Sequence, residues 1–451
     1  MKKILVLPLV VFLFLILNFL FLIPNFVYAQ TPTKTYPLTT NYGDYHITQL
    51  IRNIPNPVLS RNISPHWDDF FTAEPFALQV GNQILMWYFG TGFSTGYIPA
   101  IGIATSLDGI TWQRYAGNPI ITTTNLVTPG FNSPHKAWVV KHGDRYYLYY
   151  RASTTSGTLL GCTHPDGSPG TGSTSYTGIG VMRSKTGDPF GGWDDLGIKI
   201  LPEKCSDLFK VDTPSIIYDQ EENIWKMWYS TAKGARNEPK YWQYATSPDG
   251  ITWTKYRDIN AKDTLPVDIG IPPDNNWYLK GGLGGMSISK VNGIYHNFFN
   301  GFTEYDPSNP QGTGFSNIFY AKSNDGIKWD IADLNPIIRR GEDDGRPSDF
   351  DSKHAYRANF FITNTDKCYL YYNGKSSDGG EDIGILASDC KKILSPTPTR
   401  TPTPTPTRTP TPTPYPPFQA VLPYYGTTNA TYDFDQNGKV NMMDVVRAII
   451  R

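Results

Sequence analysis

The sequence predicts an all-β protein built from repeated four-stranded units. The phrase Asp-Gly-Ile-Thr-Trp occupies residues 108–112 and 249–253, and it returns as Asp-Gly-Ile-Lys-Trp at 325–329. Each copy joins two strand-like segments through an Asp-Gly pair, a strong hairpin signal because Gly tolerates the positive φ of such turns. Aromatic residues make up 14% of the chain, beside 41 Gly and 37 Pro, which suits many strands and turns. Copies at long, regular spacing indicate a repeat architecture.

The strand-like segments group into five units, whose first strands begin near residues 74, 137, 214, 286 and 358. The last hairpin of the second unit is degenerate, and Trp193 takes the place of the usual Trp. The fifth unit stops after Cys390 without a fourth strand.

The strand missing from the fifth unit is predicted at the other end of the chain. Asn-Pro-Ile-Ile follows a fourth strand at residues 118–121 and 335–338, and the related Asn-Pro-Val-Leu at 56–59 precedes the first unit, behind a strand-like segment at 47–51. An N-terminal strand that completes the last unit would close the array and hide most sheet edges. We therefore predict a five-bladed β-propeller over residues 43–392. The alternatives are an open β array and two sandwiches.

The N-terminus has the pattern of an export signal. Two lysines precede an apolar run from Ile4 to about Leu22, and Ala29 ends a small-residue cleavage site. Residues 1–29 are predicted to be a signal peptide, which makes the protein secreted or displayed at the cell surface. The alternative is an uncleaved anchor, since ~18 apolar residues can span a bilayer. Residues 31–42 are expected to form a loose lead-in.

Charge and cysteine content narrow the function classes. Lys and Arg number 40, as do Asp and Glu, so the chain lacks the basic excess typical of nucleic-acid or anionic-membrane binding. The four cysteines of an exported chain favour disulfides. Three pairings are open, and we predict the local ones, Cys162–Cys205 and Cys368–Cys390.

A Thr/Pro-rich linker is predicted over residues 393–417, because such a tract cannot bury a core and prefers extended polyproline II. The segment 430–451 then carries oxygen side chains at the spacing of a calcium loop, with Gly438 at the sharp turn. The predicted Ca²⁺ ligands are Asp433, Asp435, Asn437, the Lys439 carbonyl and Asp444. The alternative is an acidic surface turn.

About twenty residues of this tail resemble one repeat of a dockerin, a calcium-binding EF-hand half. Dockerins attach secreted carbohydrate-active enzymes to cohesins, and they carry two such repeats. The resemblance implies a cohesin, or another dockerin half, as a partner.

Charged residues are predicted to converge where the first strands begin. Aligning the five units on their second strands puts Glu74, Lys136, Thr213 (beside Asp212), Gly285 and Arg357 at one equivalent position. Charged groups there are costly to desolvate unless they are paired or functional. The alternative is a structural network of ion pairs.

Glycoside hydrolysis requires two carboxyl groups that flank the scissile bond. The candidates are Glu74, Asp212, Asp68, Asp69, Asp349 and Asp351. Residues expected to bind a sugar, or an anionic ligand, are His66, Trp67, His135, Lys136 and Arg357. No cofactor is expected to be needed for catalysis.

The repeats resemble the five-bladed glycoside hydrolases of the arabinanase and β-xylosidase group (family 43), the invertase group (family 32) and the mannoside phosphorylases. The resemblance covers about 350 residues. It depends on the regular spacing of the strand-like segments, on Glu74-Pro-Phe and on Val-Asp-Thr-Pro-Ser-Ile at 211–216. It implies Glu74 as general base and Asp212 as the residue that tunes the acid. The family's acid, a Glu, has no counterpart at 281–286, so a loop residue such as Asp69 or Asp349 would have to serve.

These observations predict a secreted carbohydrate-active enzyme that hydrolyses O-glycosidic bonds. The alternative is a non-catalytic glycan-binding propeller on a stalk, and a weaker one is a structural surface protein.

Overall fold

The computed structural model divides into two compact units, Met1–Ile393 and Leu394–Arg451. In the larger unit it describes residues 33–154, 158–163, 169–173, 176–203, 210–232, 239–257, 282–302, 315–331 and 336–393. In the smaller unit it describes residues 422–428, 430–434, 436–441 and 445–446. The predicted signal peptide, most of the linker and part of the tail lie outside these ranges.

Two strands open the larger unit, β1 (Lys34–Tyr42) and β2 (Tyr45–Arg52). The first two four-stranded antiparallel arrays follow. The first contains β3 (Phe71–Val80), β4 (Gln83–Thr91), β5 (Ala100–Ser106) and β6 (Gln113–Arg114). The second contains β7 (Phe131–His142), β8 (Arg145–Thr154), β11 (Thr177–Ser184) and β12 (Trp193–Ile200), with the hairpin β9 (Thr158–Thr163) and β10 (Pro169–Ser173) inserted after β8.

Two more arrays of the same kind follow, and then a fifth set of strands. The third contains β13 (Val211–Asp219), β14 (Ile224–Ala232), β15 (Pro239–Ser247) and β16 (Thr254–Lys255). The fourth contains β17 (Gly282–Val291), β18 (Ile294–Phe302), β19 (Ser316–Ser323) and β20 (Asp330–Ile331). The fifth contains β21 (His354–Ile362), β22 (Cys368–Lys375), β23 (Glu381–Ser388) and the short β24 (Lys391–Lys392).

Strands dominate the described residues, and the short 3-10 turns among them are Phe93–Thr95, Thr123–Asn125, Glu342–Asp344 and Leu422–Tyr424. The prediction of an all-β protein is confirmed. Within the described ranges, no helix has the length and apolar character needed to cross a membrane.

The N-terminal strands join the end of the chain. Strand β2 pairs with β23 through Leu50↔Ser388 and Ile51↔Ala387, and it also pairs with β24. It therefore takes the fourth place in the fifth array, as the sequence analysis predicts. The loose lead-in expected at 31–42 is wrong, because Lys34–Tyr42 forms β1 and pairs with β2. Alternate residues of β1 are buried, which is the period-two pattern of a half-buried strand.

The first strands of the five arrays contact one another in cyclic order. Strand β3 contacts β7, β7 contacts β13, β13 contacts β17, β17 contacts β21, and β21 contacts β3. A parallel bridge, Glu381↔Phe71, also joins the last array to the first. The beginnings of these five strands therefore lie near one another.

The Asp-Gly turns join neighbouring arrays. Each turn glycine has a positive φ (77° at Gly109, 74° at Gly250 and 75° at Gly326), which Gly adopts without steric cost. An aromatic side chain from the second strand of the preceding array donates a hydrogen bond to the carbonyl of each turn glycine. The pairs are Tyr371 to Gly109 (2.8 Å), Tyr149 to Gly250 (2.8 Å) and Trp228 to Gly326 (2.7 Å). The repeated phrase thus fastens one array to the next.

A disulfide joins Cys368 to Cys390, the local pair expected from the sequence. It links the start of β22 to the segment that follows β23. Cys205, one partner of the other predicted pair, lies outside the described residues.

Candidate active site

The first strand of each array loses its register with the second strand at an equivalent place. In four arrays the residue at this bulge has a left-handed backbone, with φ 56° at Glu74, 58° at Lys136, 45° at Thr213 and 52° at Arg357. In the remaining array, which begins with β17, two glycines occupy the bulge. A bulge re-aims a side chain, and left-handed backbone at residues other than Gly concentrates at functional sites.

These bulges surround a cavity of about 300 Å³. Most of the residues that line it are of polar or charged types, and they come from the first, second and third strands and from the segment before β13. The lining residues are Glu74, Lys136, Arg151, Lys210, Asp212, Thr213, Gly285, Asn300, Phe302, Ser316, His354, Tyr356, Arg357 and Lys375. The structure therefore brings together the charged positions that the alignment of the repeats had made equivalent.

A larger cavity, of about 610 Å³, lies farther along the same first strands. Its walls include apolar side chains such as Phe76, Trp138 and Ile216. Its acid Asp219 is paired at 2.9 Å with Lys290, which also contacts Glu221 at 2.8 Å. The smaller cavity, with its converging charges, is the better candidate for chemistry.

One ammonium group connects the two carboxylates of the smaller cavity. Lys136 Nζ lies 2.9 Å from Asp212 Oδ2 and 3.9 Å from Glu74 Oε1. These distances limit the separation of the two oxygens to about 7 Å. Retaining glycosidases hold their carboxyl groups about 5–5.5 Å apart and inverting ones about 6.5–9.5 Å apart. Both carboxyl groups are therefore close enough to act on one bond.

The surroundings push the pKa values of the two carboxyl groups in opposite directions. Burial raises the pKa of Glu74 above its ordinary value, against the opposing effect of Lys136 and Arg357. Burial would also raise the pKa of Asp212, but Lys136 and Arg151 hold that pKa far below its usual range. A pair of carboxyl groups separated in this way can supply one protonated and one ionised group at the same pH.

A third buried carboxyl group, Glu381, lies behind Glu74. Asn373 connects the two, because its Oδ1 accepts a hydrogen bond from the Glu74 amide (2.7 Å) and its Nδ2 donates one to Glu381 (3.2 Å). Burial raises the pKa of Glu381 to about 7, although hydrogen bonding to Tyr356 and the charge of Lys375 lower it. Glu381 lies on β23 and not on a first strand, so an alignment of the first strands does not predict it.

Three basic residues of the cavity were also missed. Arg151 lies directly opposite His135 in the register of β7 with β8, and its Nε is 3.8 Å from Asp212. Lys210 precedes β13, and burial together with nearby Arg151 and Lys136 lowers its pKa to about 8, although Asp212 raises it. Lys375 ends β22. None of the three lies on a first strand, and only Arg151 is predictable as the cross-strand neighbour of His135.

The segment around Asp69 does not line the cavity. The Asp69 carboxylate accepts a hydrogen bond from the Phe93 amide (2.7 Å), and hydrogen bonds of this kind lower its pKa. Trp67 stacks on Tyr88 with ring centroids 5.6 Å apart, and His66 has an exposed side chain. Asp69, Trp67 and His66 are therefore not among the residues that line the cavity.

Other candidate acids are held in ion pairs. Asp68 pairs with Arg114 at 2.7 Å. Asp351 is fully buried between Arg52 (3.3 Å) and Arg346 (2.8 Å), and both arginines also contact Asp349. Neither Asp349 nor Asp351 is among the residues that line the cavity.

The two histidines near the site differ in position. The ring of His135 is hydrogen-bonded to Arg151 and lies edge-on to Phe89 at 5.2 Å, and burial with nearby Arg151 holds its pKa well below 6.5. It supports the cavity from behind. His354 lines the cavity, and burial lowers its pKa to about 3, so it is neutral at physiological pH.

The smaller unit contains part of the predicted calcium loop. Asp433 accepts hydrogen bonds from the amides of Asn437 (3.1 Å) and Gly438 (2.7 Å), and Gly438 has φ 90°. The first carboxylate therefore lies inside the turn, as a calcium loop requires. Asp435 and Asp444 lie outside the described residues.

The chain shares its fold with solved glycoside hydrolases. A glycosyl hydrolase from Bacteroides ovatus has a TM-score of 0.52 and 18% identity, over 78% of this chain and 96% of that one. A proposed glycoside hydrolase from Parabacteroides distasonis ATCC 8503 has a TM-score of 0.54 and 15% identity, over 78% and 98% of the chains. A proposed glycoside hydrolase from Bacteroides ovatus ATCC 8483 has a TM-score of 0.52 and 17% identity, over 76% and 96%.

At these identities the similarity establishes the fold alone. No protein-family model matches the chain. No curated protein matches it either.

Proposed function

We propose that this chain is a five-bladed propeller enzyme that hydrolyses O-glycosidic bonds in carbohydrate. The observation that carries the proposal is the pair Glu74 and Asp212, joined through Lys136, with pKa values moved in opposite directions. Glycoside hydrolysis needs one protonated and one ionised carboxyl group beside the scissile bond. The cyclic contacts of the five first strands support the five-bladed arrangement.

The electrostatics favour Glu74 as the proton donor. Its raised pKa suits a group that must be protonated before reaction, whereas Asp212 stays ionised beside Lys136 and Arg151. In this assignment Glu74 protonates the leaving oxygen as the glycosidic C–O bond breaks. Asp212 stabilises the developing positive charge and accepts the proton of the water that attacks the anomeric carbon. The assignment differs from the resemblance to family 43, which implies Glu74 as general base.

Aromatic side chains lead from the cavity toward solvent. The Phe71 ring lies 6.0 Å from the Lys375 ammonium, and Phe70 stacks on Phe71 at 4.4 Å. Phe93 and Tyr97 continue the series, and they are 56% and 50% exposed. Flat apolar rings beside a polar cavity suit a sugar chain, which has both apolar faces and hydroxyl groups.

The test is turnover of arabino-, xylo-, fructo- and manno-oligosaccharides by the full chain, with products separated by chromatography. Wild-type protein should release shorter sugars, and Glu74→Gln and Asp212→Asn should each reduce kcat/KM by about 100-fold or more. The matched control is Glu221→Gln, a carboxylate 70% exposed in the larger cavity, which should keep its activity. Equal activity of all three variants would contradict the proposal.

A non-catalytic glycan-binding propeller is the second candidate. It is favoured by strand β17, Gly282–Val291, which carries no carboxyl group where the related enzymes are expected to hold their acid. Glycan binding without product release, by a protein whose Glu74→Gln variant binds equally well, would select this function.

We also propose that the tail binds calcium and that the chain is exported. The position of Asp433 inside its turn supports the first, and the pattern of residues 1–29 supports the second. Calorimetric titration of the full chain with Ca²⁺ should detect one site that Asp433→Asn weakens. Mass spectrometry of protein from the culture medium should find a mature N-terminus at Gln30. A cohesin, or another dockerin half, is the partner proposed for the tail.

A further inference from the structure

Arg357 carries a buried guanidinium group, and the ion pairs of the site do not fully balance its charge. It is 8% exposed, it lines the cavity, and its Nη1 is buried without a hydrogen-bond partner among the described residues. Leaving a buried donor unpaired is costly, and more so for a charged group. Such a group in a cavity points to a ligand that supplies the missing acceptor.

The fold holds Arg357 in this position by two features. Its left-handed backbone, φ 52°, turns it out of the ladder at the bulge of β21. Gly285, on β17, makes the necessary room, because a Cβ there would lie 2.9 Å from Arg357 Cδ and 3.0 Å from Nη1. The placement therefore depends on two arrays and not on the side chain alone.

The cavity as a whole is rich in positive charge. Five basic residues line it against two acidic ones. Lys136 and Arg151 lie beside Asp212, and Lys375 is 3.9 Å from Glu381 behind the wall. Among the described residues, Arg357 has no carboxylate within ion-pair distance. The lowered pKa of Lys210 is consistent with this excess of positive charge.

We propose that the cavity binds a sugar unit that bears a carboxylate, a uronic acid, and that Arg357 pairs with this carboxylate. A guanidinium fork matches the planar carboxylate with parallel hydrogen bonds. Asn300, Ser316 and Tyr356 line the same cavity and can bind the hydroxyls of such a sugar, which a free inorganic anion lacks. This inference deepens the proposed function, since it names the substrate class of the same site.

The test is calorimetric binding to the full-length protein, independent of turnover. The ligands are tri-galacturonate and its neutral counterpart tri-galactose, glucuronate and glucose, and inorganic phosphate. The variants are Arg357→Gln, Arg357→Lys and the control Arg145→Gln, which removes a charge from the far end of strand β8. Thermal unfolding of each variant verifies that it is folded, and Arg357→Lys keeps the charge if Arg357→Gln does not fold.

The acidic sugars should bind more tightly than their neutral counterparts. Arg357→Gln should weaken acidic-sugar binding by about 10- to 100-fold, and Arg357→Lys should weaken it less, because it retains the charge but not the fork. Arg145→Gln should bind like wild type. Equal affinity for acidic and neutral sugars would overturn the proposal, and so would phosphate binding more tightly than glucuronate.

The turnover assay of the proposed function, run also with tri-galacturonate, separates the two ideas. Selective binding of acidic sugars without hydrolysis would uphold the ligand and reject the enzyme. Hydrolysis of neutral sugars, with no preference for acidic ones, would uphold the enzyme and reject the proposed ligand.

Discussion

Lys136 and Asp212 belong to different arrays, and their side chains meet at 2.9 Å, with 16% and 10% of their surfaces exposed. Replacing Lys136 with Met leaves the buried carboxylate of Asp212 beside Arg151, whose Nε is 3.8 Å away. Breaking such a pair by removing one partner costs about 3–5 kcal/mol. We expect Lys136→Met to lower the free energy of unfolding by about that amount and to abolish turnover. Denaturant unfolding and kcat/KM measure the two effects.

The control for this prediction is Lys141→Met, on the same strand but exposed to solvent. It should change stability by less than about 0.5 kcal/mol, as most exposed substitutions do. Equal losses of unfolding free energy in both variants would show that Lys136 does not stabilise the buried carboxylate of Asp212.

Glu381 should make stability depend on pH. Its pKa is raised to about 7 in the folded protein, so the folded state holds this proton more tightly than the unfolded state. The stability of the wild-type protein should therefore fall as pH rises from about 4.5 to about 7, by up to ~1.4 kcal/mol per pH unit from this group. Glu381→Gln, which resembles the protonated form, should remove that part of the fall.

The measurement is the difference in unfolding free energy between Glu381→Gln and wild type at several pH values. The difference should move in favour of the variant from about pH 4.5 to about pH 7 and then level off. A difference for Glu381→Gln that stays constant across this pH range would contradict the prediction.

The hydrogen bond from Tyr371 to Gly109 fastens the fifth array to the first. Removing the hydroxyl takes one of two donors from the buried Gly109 carbonyl, which also accepts a hydrogen bond from Trp112 Nε1 at 3.2 Å. A hydrogen bond of this kind contributes about 0.5–1.5 kcal/mol. We expect Tyr371→Phe to lower the thermal midpoint of unfolding. Tyr149→Phe, which removes the equivalent hydrogen bond to Gly250, should lower it as well. Tyr147→Phe, on the same strand as Tyr149 and only partly buried, is the control.

The exposed rings of Phe93 and Tyr97 should contribute to binding long ligands. If they extend the cavity for a sugar chain, Tyr97→Ala should weaken binding of a hexasaccharide by several-fold and leave monosaccharide binding unchanged. Calorimetry with both lengths measures this split. Tyr115→Ala, 41% exposed and near Phe190, is a matched control that should affect neither ligand.

The architecture could be predicted because it follows from local patterns. The turn phrase fixes φ at a glycine, the alternation of apolar residues marks strands, and the displaced Asn-Pro motif indicates that the N-terminal strand joins the last array. The lead-in Lys34–Tyr42 was missed because its Thr and Pro residues suggested a loop, although Tyr36, Leu38 and Tyr42 alternate as in a strand.

The site could be predicted only in part, for a different reason. The bulge positions Glu74, Lys136 and Arg357 share a place in the repeat, so an alignment of the repeats finds them. Arg151 and Glu381 reach the site from second and third strands, and their relevance depends on register and packing. Asp69 lies outside the residues that line the cavity, and the Phe93 amide donates a hydrogen bond to its carboxylate.

Gly285 offers the sharpest test of how the site holds its ligand. A Cβ at this position would approach Arg357 Cδ to 2.9 Å, Nη1 to 3.0 Å and Thr213 Cγ2 to 3.2 Å. Because the arginine side chain is flexible, we expect Gly285→Ala to displace the guanidinium and not to unfold the protein. Binding of glucuronate should weaken by about 10-fold, as when a charge-assisted hydrogen bond is lost, while the thermal midpoint changes little.

The control is Gly293→Ala, in the turn after β17, where a Cβ would meet no atom within 4 Å. That glycine has φ 77°, so its replacement strains the backbone and lowers stability without touching the cavity. The two variants should therefore behave in opposite ways: Gly285→Ala loses ligand affinity and keeps stability, and Gly293→Ala keeps affinity and loses stability. Unchanged glucuronate binding by Gly285→Ala would show that the position of Arg357 does not govern recognition.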